Sequence, residues 1–561
     1  MTRQDHVSEV VQRRNAIVRS NVQEIIIGEL DADGRNALVE ALPNRRVRHV
    51  SRGDIPSLFM SNNDKSRRKL VWGRDNIGVG LLKALYEKEI IDFTDKVSPS
   101  YSVKPKSNHL VICEAGEPLS EIIAANYAFS LGAGLHIINK VDDAECEEML
   151  EAYYSIDDPN KNPTELRSRL GSRLREMCGD VELPAGGSLT FISRSLPFGV
   201  AFPELPSTHL FSYPALGVSI ANGFAAEREG ARGTNIAVLV DPEQVSAPEI
   251  KTAATLLSGR RIFVRGYSGQ VATVRNISDM VEYFPYDILI ISTHCGDASG
   301  HRWTYNFQDS DGYERELVVD IAIGLSDTDE TNIVKVHQFM RFHSLDGIDW
   351  TDSEAKKNYN VGNAIVDFMS LIEADAIKPV RKDSVSRVVG SAAMRMADHN
   401  YLALHRSLAS TGTPIIINNA CVSWHELAQR LTFAGARVYV GTLFPVTDAE
   451  AEAVAVQLLG KQFGKMMPHA LWAAQSAVYG NSNRRPYVIT GVYPQRLRVT
   501  PEPVPQRILA ELTRASKLWN LADSGDASGQ EARRTSEAVR DFYQREITRI
   551  RDRWLSADDE A

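Results

Sequence analysis

The sequence predicts an α/β fold in which helices flank a mostly parallel β-sheet. From about residue 235 onward, short apolar, β-branched runs alternate with helical patterns, which is typical of successive βαβ units. Two of these runs stop abruptly at small and polar residues, as buried parallel strands do at the carboxyl edge of a sheet. The chain has 561 residues, of which 43% are hydrophobic and 24% charged, enough for two or three domains with sizeable cores.

Residues 1–230 are predicted to form a separate amino-terminal α/β region. Strand patterns at 109–113, 135–138 and 186–192 accompany a helix pattern at 119–131. The first hundred residues begin with a polar, helix-like segment and then carry a basic cluster, defined here as Arg45, Arg46, Arg48, Arg52, Lys65, Arg67, Arg68 and Lys69. Such a cluster could bind a phosphate-bearing signal or nucleic acid, although runs of charge are more often solvated faces.

Residues 231–500 are predicted to form the central domain. Its regular part is expected to contain strands at 236–240, 261–264 and 288–291, helices at 247–257 and 277–283, and then a hairpin of strands 303–307 and 316–319. Residues 326–410 are interpreted as an insertion with helical patterns at 361–372 and 385–408. This insertion is a candidate lid, partner surface or regulatory loop.

Residues 501–561 are predicted to form a helical tail. Its last helix has an apolar stripe at spacings of three and four, made of Val539, Phe542, Tyr543, Ile547, Ile550 and Trp554. Most amphipathic helices pack on their own chain, and an oligomer or partner contact is the alternative.

The chemistry is concentrated at two predicted strand ends. One reads Asp287-Ile-Leu-Ile-Ile-Ser-Thr-His294-Cys-Gly296, and the other reads Pro414-Ile-Ile-Ile-Asn-Asn-Ala-Cys421-Val-Ser423. Because parallel strands deliver their carboxyl ends to the same edge of a sheet, His294 and Cys421 could form a base and nucleophile pair. Asn419 and Ser423 are expected to support the cysteine turn through local hydrogen bonds.

These segments resemble the caspase-like CHAT peptidases of the caspase, separase and gingipain clan. In that group a His-Gly turn and an Ala-Cys-x-Ser turn end neighbouring strands, and a Gly-Thr-x-x-x-Val-x-Asp segment follows, as in Gly441 to Asp448 here. The resemblance covers roughly residues 232–498 and implies a caspase-like fold with His294 and Cys421 as the catalytic dyad. In the clan Gly usually follows His directly, whereas Cys295 intervenes here before Gly296.

The expected chemistry is acyl transfer from a peptide bond without metal or other cofactor. Cys421 would attack as thiolate with His294 as general base and acid, and the amides of Gly296 and Cys421 would form the oxyanion hole. Three alternatives stay open: Cys295 is the nucleophile, His294 and Cys421 are structural residues, or a metal binds at His294, Cys295, Cys421 and His425.

Two acidic residues near the motifs are tentative substrate-binding candidates. Asp297 could select a basic side chain before the cleaved bond, as in clan members that cut after Arg or Lys, but it could also be a solvated loop carboxylate. Asp448 matches the acidic position of the family segment, and could instead cap the helix that begins at Ala449.

Composition excludes several other classes. The amino terminus lacks a signal-peptide pattern, and no apolar run approaches the ~18 residues of a membrane span, so a cytoplasmic location is expected. Five dispersed cysteines indicate neither a disulfide framework nor a zinc finger. The net charge of −9 disfavours a general nucleic-acid binder, and signatures of P-loop nucleotide hydrolases, zinc peptidases and serine esterases are missing from the sequence.

The sequence is therefore interpreted as a cytoplasmic, regulated cysteine endopeptidase. The resemblance implies a bacterial effector, often used in defence against phage, that stays inactive until a partner or ligand engages an appended region, here residues 1–230. Its expected partner is a protein substrate encoded nearby, and a homo-oligomer is possible. The alternative from another class is a non-hydrolytic sensor or interaction module on a caspase-like scaffold.

Overall fold

A computed structural model describes most of the chain. The described residues are 24–28, 46–51, 53–54, 57, 67–98, 104–116, 119–158, 160–213, 216–228, 231–327, 334–352, 355–356, 359–405, 407–480, 482–522 and 530–555. The polar amino-terminal segment, and Arg45, Arg52 and Lys65 of the basic cluster, lie outside them. Within the cluster, Arg46 and Arg48 each lie 3.6 Å from the carboxylate of Glu24.

The strands and helices are numbered in chain order over the described residues. The strands are β1 (Glu24–Gly28), β2 (Arg46–Val50), β3 (Lys69–Gly73), β4 (Ile90–Thr94), β5 (His109–Glu114), β6 (Gly134–Ile138), β7 (Ser188–Ser193), β8 (Ser207–Phe211), β9 (Ile236–Asp241), β10 (Phe263–Ser268), β11 (Ile288–Ile291), β12 (Cys295–Gly296), β13 (Gly300–Gln308), β14 (Glu314–Asp327), β15 (Val334–Leu345), β16 (Ile348–Asp349), β17 (Arg381–Val385), β18 (Ala393–Arg395), β19 (Asn400–Leu402), β20 (Ile415–Asn418), β21 (Val438–Thr442) and β22 (Tyr487–Gly491). The α-helices are α1 (Ile77–Glu87), α2 (Ser120–Leu131), α3 (Asp143–Tyr154), α4 (Pro163–Met177), α5 (Leu216–Glu227), α6 (Pro248–Gly259), α7 (Val274–Tyr283), α8 (Ala364–Glu373), α9 (Glu426–Phe433), α10 (Asp448–Val456), α11 (Met467–Tyr479), α12 (Val504–Ala522) and α13 (Gln530–Trp554).

The chain divides into two compact units. The first comprises residues 1–229 and 466–495, and the second comprises residues 230–465 and 496–561. The segment that carries α11 and β22 therefore belongs with the amino-terminal region, and the helical tail belongs with the central domain. No helix among the described residues is both long and apolar enough to cross a membrane.

The first unit contains five parallel strands in the order β22-β8-β7-β5-β6. Buried apolar residues of β5, α2 and α5 form one continuous cluster, in which Val111 and Cys113 of β5 are fully buried. This confirms the predicted strands at 109–113, 135–138 and 186–192 and the helix between the first two.

The second unit contains another five parallel strands, in the order β10-β9-β11-β20-β21. Every residue of β11 and β20 is buried, because these strands lie inside the sheet and carry only apolar side chains and one asparagine. Each predicted strand and helix between 236 and 291 is present, with bounds within four residues of those predicted. The α/β prediction with a mostly parallel sheet is confirmed.

The second unit also contains an antiparallel sheet of five strands, ordered β16-β15-β14-β13-β17, whose strands follow β12 in the chain. The predicted hairpin is its centre, with β13 and β14 in register from Gly300↔Ala322 to Gln308↔Glu314. Helix α8 covers one face through Phe368, which contacts Tyr305, Phe307 and Phe342. The insertion predicted at 326–410 thus shares a sheet with the residues that precede it.

The helix predicted over 385–408 is wrong. The segment instead forms β18 and β19, and β18 pairs with β12 directly after the candidate histidine. Gly390 has φ of 80° and Ala392 has φ of 45°, both incompatible with a right-handed helix. Pairing between segments far apart in sequence therefore overrides the local apolar spacing. The other predicted helix of the insertion is confirmed as α8.

The tail helices pack on their own unit. This confirms the first of the two interpretations of the apolar stripe, packing on the same chain. Val539, Phe542, Tyr543, Ile547 and Ile550 are buried, and Phe542 and Tyr543 contact the ring of Tyr283 on α7. Trp554 is 47% exposed and packs edge-on against Phe263.

A buried ion pair joins the last helix to the edge strand β10. The guanidinium of Arg265 makes two hydrogen bonds to the carboxylate of Glu546, one of them 2.8 Å long, and both side chains are less than 10% exposed. Removing one partner leaves a buried charge without compensation. We expect Glu546→Ala to lower the free energy of unfolding by about 3–5 kcal/mol.

Urea denaturation measures this effect, and Glu537→Ala is the control because Glu537 is an exposed residue of the same helix. The control is expected to change stability by about 0.5 kcal/mol or less. Equal midpoints for the two variants would contradict the role of the pair.

Candidate active site

The two candidate catalytic residues follow neighbouring parallel strands in matching positions. Strands β11 and β20 pair with Ile291 opposite Asn418, and the amide of Asn419 donates to the carbonyl of Ile291 at 2.8 Å. His294 and Cys421 each come three residues after this last register pair. The fold therefore brings both segments to the same edge of the sheet, as the sequence predicted for parallel strands.

The turn that carries Cys421 is braced by buried polar groups. The hydroxyl of Ser423 donates to the carbonyl of Asn418 at 3.2 Å and accepts from the amide of Thr442 at 3.1 Å. The hydroxyl of Thr442 donates to the carbonyl of Ala420 at 2.8 Å, and that of Tyr439 donates to the carbonyl of Ser423 at 2.6 Å. The predicted support by Ser423 is confirmed. Strand β21 therefore holds the cysteine turn on both sides of the thiol.

Two residues close to the thiol have a strained backbone. Val422 has φ of 52° and His425 has φ of 56°, in the left-handed region that side chains with a β-carbon rarely adopt. For a β-branched residue such as Val422 this conformation is an outlier. Such conformations persist only where the surroundings enforce them, and they cluster at active sites.

The side chains of the pair are accessible to different degrees. Cys421 is partly buried, and its Sγ lies 3.7 Å from the carbonyl oxygen of Val446, to which it donates. His294 is exposed, and its carbonyl accepts from the amide of Arg395 at 2.9 Å. Among the described residues, no hydrogen bond joins its imidazole to another side chain. The imidazole and the thiol are therefore not hydrogen-bonded to each other here, and catalytic hydrogen bonds commonly tighten only with substrate.

Cys295 lies in a poor environment for a nucleophile. It is partly buried in β12, opposite Met394 of β18. Burial, and then the charges of Asp297 and Cys421, raise the pKa of the Cys295 thiol to about 12. Since the thiolate is the reacting form, these surroundings disfavour Cys295 as the nucleophile. No group of three or more metal-ligating side chains comes together in the described part of the chain, which includes the four residues of the metal alternative.

Gly296, the expected oxyanion donor, takes part in strand pairing. It lies opposite Ala393 in the antiparallel ladder, one register position from Cys295↔Met394. Hydrogen-bonded and non-hydrogen-bonded pairs alternate in such ladders, and Arg395 already donates to His294. Gly296 and Ala393 therefore form a hydrogen-bonded pair, so the Gly296 amide is directed at β18. As an oxyanion donor it would have to leave this ladder.

The carboxylate of Asp297 is paired within the chain and is not solvated. Its carboxylate receives hydrogen bonds from Nε of Arg387 at 2.9 Å and from the amide of Ala392 at 3.2 Å, and its side chain is only 11% exposed. The solvated-loop alternative is wrong for this reason. A basic substrate side chain would have to replace Arg387 as the partner of this carboxylate.

Asp448 is exposed in the first turn of α10, where an acidic side chain interacts favourably with the helix dipole. The alternative that Asp448 caps the helix is wrong. The cap is Thr447, which forms a reciprocal capping box with Glu450.

The sequence reasoning missed Glu249, which lies in the first turn of α6. Its side chain is 1% exposed, and its Oε1 accepts from the hydroxyl of Ser292 at 2.5 Å and from the side-chain amide of Asn419 at 3.5 Å. Pro248-Glu249 has the ordinary pattern of a helix start, so the sequence carried no signal for this role. Asn419 supports the edge through this long-range contact, although a local one was predicted.

Comparisons with known proteins give no identification. No protein-family model matches the chain, and no curated protein matches its sequence. What the chain does must therefore be inferred from its own residues.

Proposed function

We propose that this protein is a caspase-like cysteine endopeptidase in which Cys421 is the nucleophile and His294 the general base and acid. The observation that carries the proposal is the register of β11 and β20, because it sets the histidine and the cysteine in matching positions after adjacent parallel strands. The strained, braced turn around Cys421 and the high pKa of Cys295 add support.

In the proposed reaction, His294 takes the proton of the Cys421 thiol and the thiolate attacks the carbonyl carbon of the peptide bond. The C–N bond then breaks, and the protonated imidazole gives its proton to the leaving amine. A water molecule deprotonated by His294 hydrolyses the thioester and restores the thiol. Backbone donors of the cysteine turn, including the Cys421 amide, are proposed to stabilise the oxyanion.

We further propose that the enzyme is regulated. The exposed imidazole of His294, which makes no side-chain hydrogen bond among the described residues, fits a resting state. Engagement of residues 1–230 by a partner or ligand would bring it to the thiol. A bacterial effector role, including defence against phage in the cytoplasm, and a substrate encoded nearby follow from the motif resemblance. Asp297 and Asp448 stay candidates for substrate contacts, and self-association stays a prediction.

Two observations favour the second candidate, a sensor or interaction module without hydrolysis. The ladder bond at Gly296 and the pairing of Asp297 with Arg387 occupy groups that the peptidase reading assigns to substrate. In that case the edge would bind a peptide without cleaving it.

Cleavage of a random-sequence peptide library, read by mass spectrometry, separates the two candidates. Under activating conditions, the peptidase interpretation expects new termini with the wild-type protein and none with Cys421→Ala. If wild type and variant give the same peptides, and an electrophilic cysteine probe labels them equally, the enzyme proposal fails.

A further inference from the structure

A buried carboxylate links the segments that lead to the two proposed catalytic residues. Ser292 and Asn419 occupy the position two residues before His294 and Cys421, respectively. Both donate to Oε1 of Glu249, the hydroxyl at 2.5 Å and the amide at 3.5 Å. We call Glu249, Ser292 and Asn419 the edge clamp.

The clamp is buried and lies between three elements. Glu249 is 1% exposed, Ser292 3% and Asn419 7%, so water does not compete for these hydrogen bonds. Glu249 comes from α6, while its donors follow β11 and β20. A shift of either strand end relative to the other would break a hydrogen bond to a buried carboxylate, and such a loss is costly.

The other carboxylate oxygen distinguishes Glu249 from Glu114 of the first unit. Its Oε2 is buried without a hydrogen-bond partner among the described residues. Glu114, a buried acid in the first unit, accepts from the amide of Val141 through Oε1 at 3.0 Å and from that of Arg194 through Oε2 at 2.9 Å. Burial raises the pKa of the Glu249 carboxyl, and the nearby charge of Asp448 also raises it. A buried acid with one oxygen unsatisfied costs stability, so its presence at this edge needs an explanation.

We propose that Glu249 is a positioning residue that fixes the spacing between His294 and Cys421 by holding Ser292 and Asn419. This inference rests on the proposed dyad. Glu249 acts through its two donors and does not touch the reacting atoms. The requirement is therefore for an acceptor oxygen at Oε1, and a formal negative charge is not needed.

The test compares Glu249→Ala with Glu249→Gln. The alanine variant loses the acceptor, whereas the glutamine variant keeps a carbonyl oxygen that can occupy the Oε1 position. We expect Glu249→Ala to lower kcat about 10²-fold with little change in KM, because misplacement of about 1 Å has that effect. Glu249→Gln is expected to stay within a few-fold of wild type.

A second readout does not require a substrate. The rate of Cys421 alkylation by iodoacetamide against pH, measured on the Cys421 peptide by mass spectrometry, gives the pKa of this thiol. The clamp predicts a higher thiol pKa in Glu249→Ala, because the imidazole is then held less closely to the sulfur, and an unchanged or lower thiol pKa in Glu249→Gln. A purely electrostatic role would instead lower it in both variants, because both remove a negative charge.

Two controls keep the outcomes decisive. Glu114→Ala removes an equally buried carboxylate from the other unit, so it is expected to lower stability and to leave the Cys421 thiol unchanged. If Glu249→Ala does not fold, Ser292→Ala removes the shorter clamp bond and is expected to raise the thiol pKa in the same direction.

The inference is overturned if Glu249→Ala keeps the wild-type kcat and thiol pKa, or if Glu249→Gln is impaired as strongly as Glu249→Ala. Failure of the proposed function has a different signature, namely a wild-type protein that cleaves nothing and a thiol that does not respond to His294 substitution. Because the inference rests on the dyad, it falls together with the proposed function in that case.

Discussion

Replacing Cys421 by alanine is expected to abolish both peptide cleavage and labelling by an electrophilic cysteine probe. The thiolate is the only group in the proposed reaction that forms a bond to the substrate, so no other residue can replace it. Its turn is held by Ser423, Thr442 and Tyr439, which do not depend on the sulfur. We therefore expect the variant to fold normally and to show less than about 10⁻³ of wild-type activity.

Cys295→Ala is the matched control, because it removes a second partly buried thiol from the same edge. The high pKa of Cys295 makes its thiolate rare at neutral pH, so this variant is expected to keep most of the cleavage activity and the label. The reverse pattern, with label lost in Cys295→Ala and kept in Cys421→Ala, would assign the nucleophile to the other cysteine.

Replacing His294 by glutamine is expected to produce the second largest effect, a fall in kcat of about 10²–10⁴-fold. General acid and base catalysis contributes an acceleration of this size, and glutamine can form hydrogen bonds but cannot exchange protons near neutral pH. The imidazole is exposed, so the substitution is expected to cost little stability. Single-turnover measurements on a cleaved peptide would separate this loss of chemistry from weaker binding.

His301→Gln is the control for this variant, since His301 is also exposed and lies seven residues later in the chain, on β13. It is expected to cleave like wild type. Equal activity of His294→Gln and His301→Gln would remove His294 from the mechanism.

The strand ends could be predicted because their signal is local. Runs such as Ile288 to Ile291 and Ile415 to Ile417 are apolar and β-branched, and they stop at polar residues, so both the strands and their carboxyl ends are visible in the sequence. The alternation with helices then fixed the parallel arrangement, and the structure has these strands as neighbours.

The missed features depend on contacts between distant segments. Residues 385–408 have apolar spacings compatible with a helix, yet Met394 pairs with Cys295 in a ladder that no local pattern indicates. The pairing of Asp297 with Arg387 and the burial of Glu249 against Ser292 likewise arise only when the chain has folded. A single sequence shows which side chains carry charge, but it does not show which of them meet.

The most direct test of whether the His294 imidazole pairs with the Cys421 thiol is the pKa of this thiol in the wild-type protein and in His294→Gln. The thiol pKa is obtained from the alkylation rate of the Cys421 peptide as a function of pH. The rates are measured without ligand and with a bound peptide alcohol, which is the non-reactive analogue of a peptide aldehyde. We predict a thiol pKa below the ordinary ~8.5 in the wild-type protein under at least one of these conditions, and a rise on removal of the imidazole. Identical pKa values in the two proteins under both conditions would contradict the pairing of His294 with Cys421.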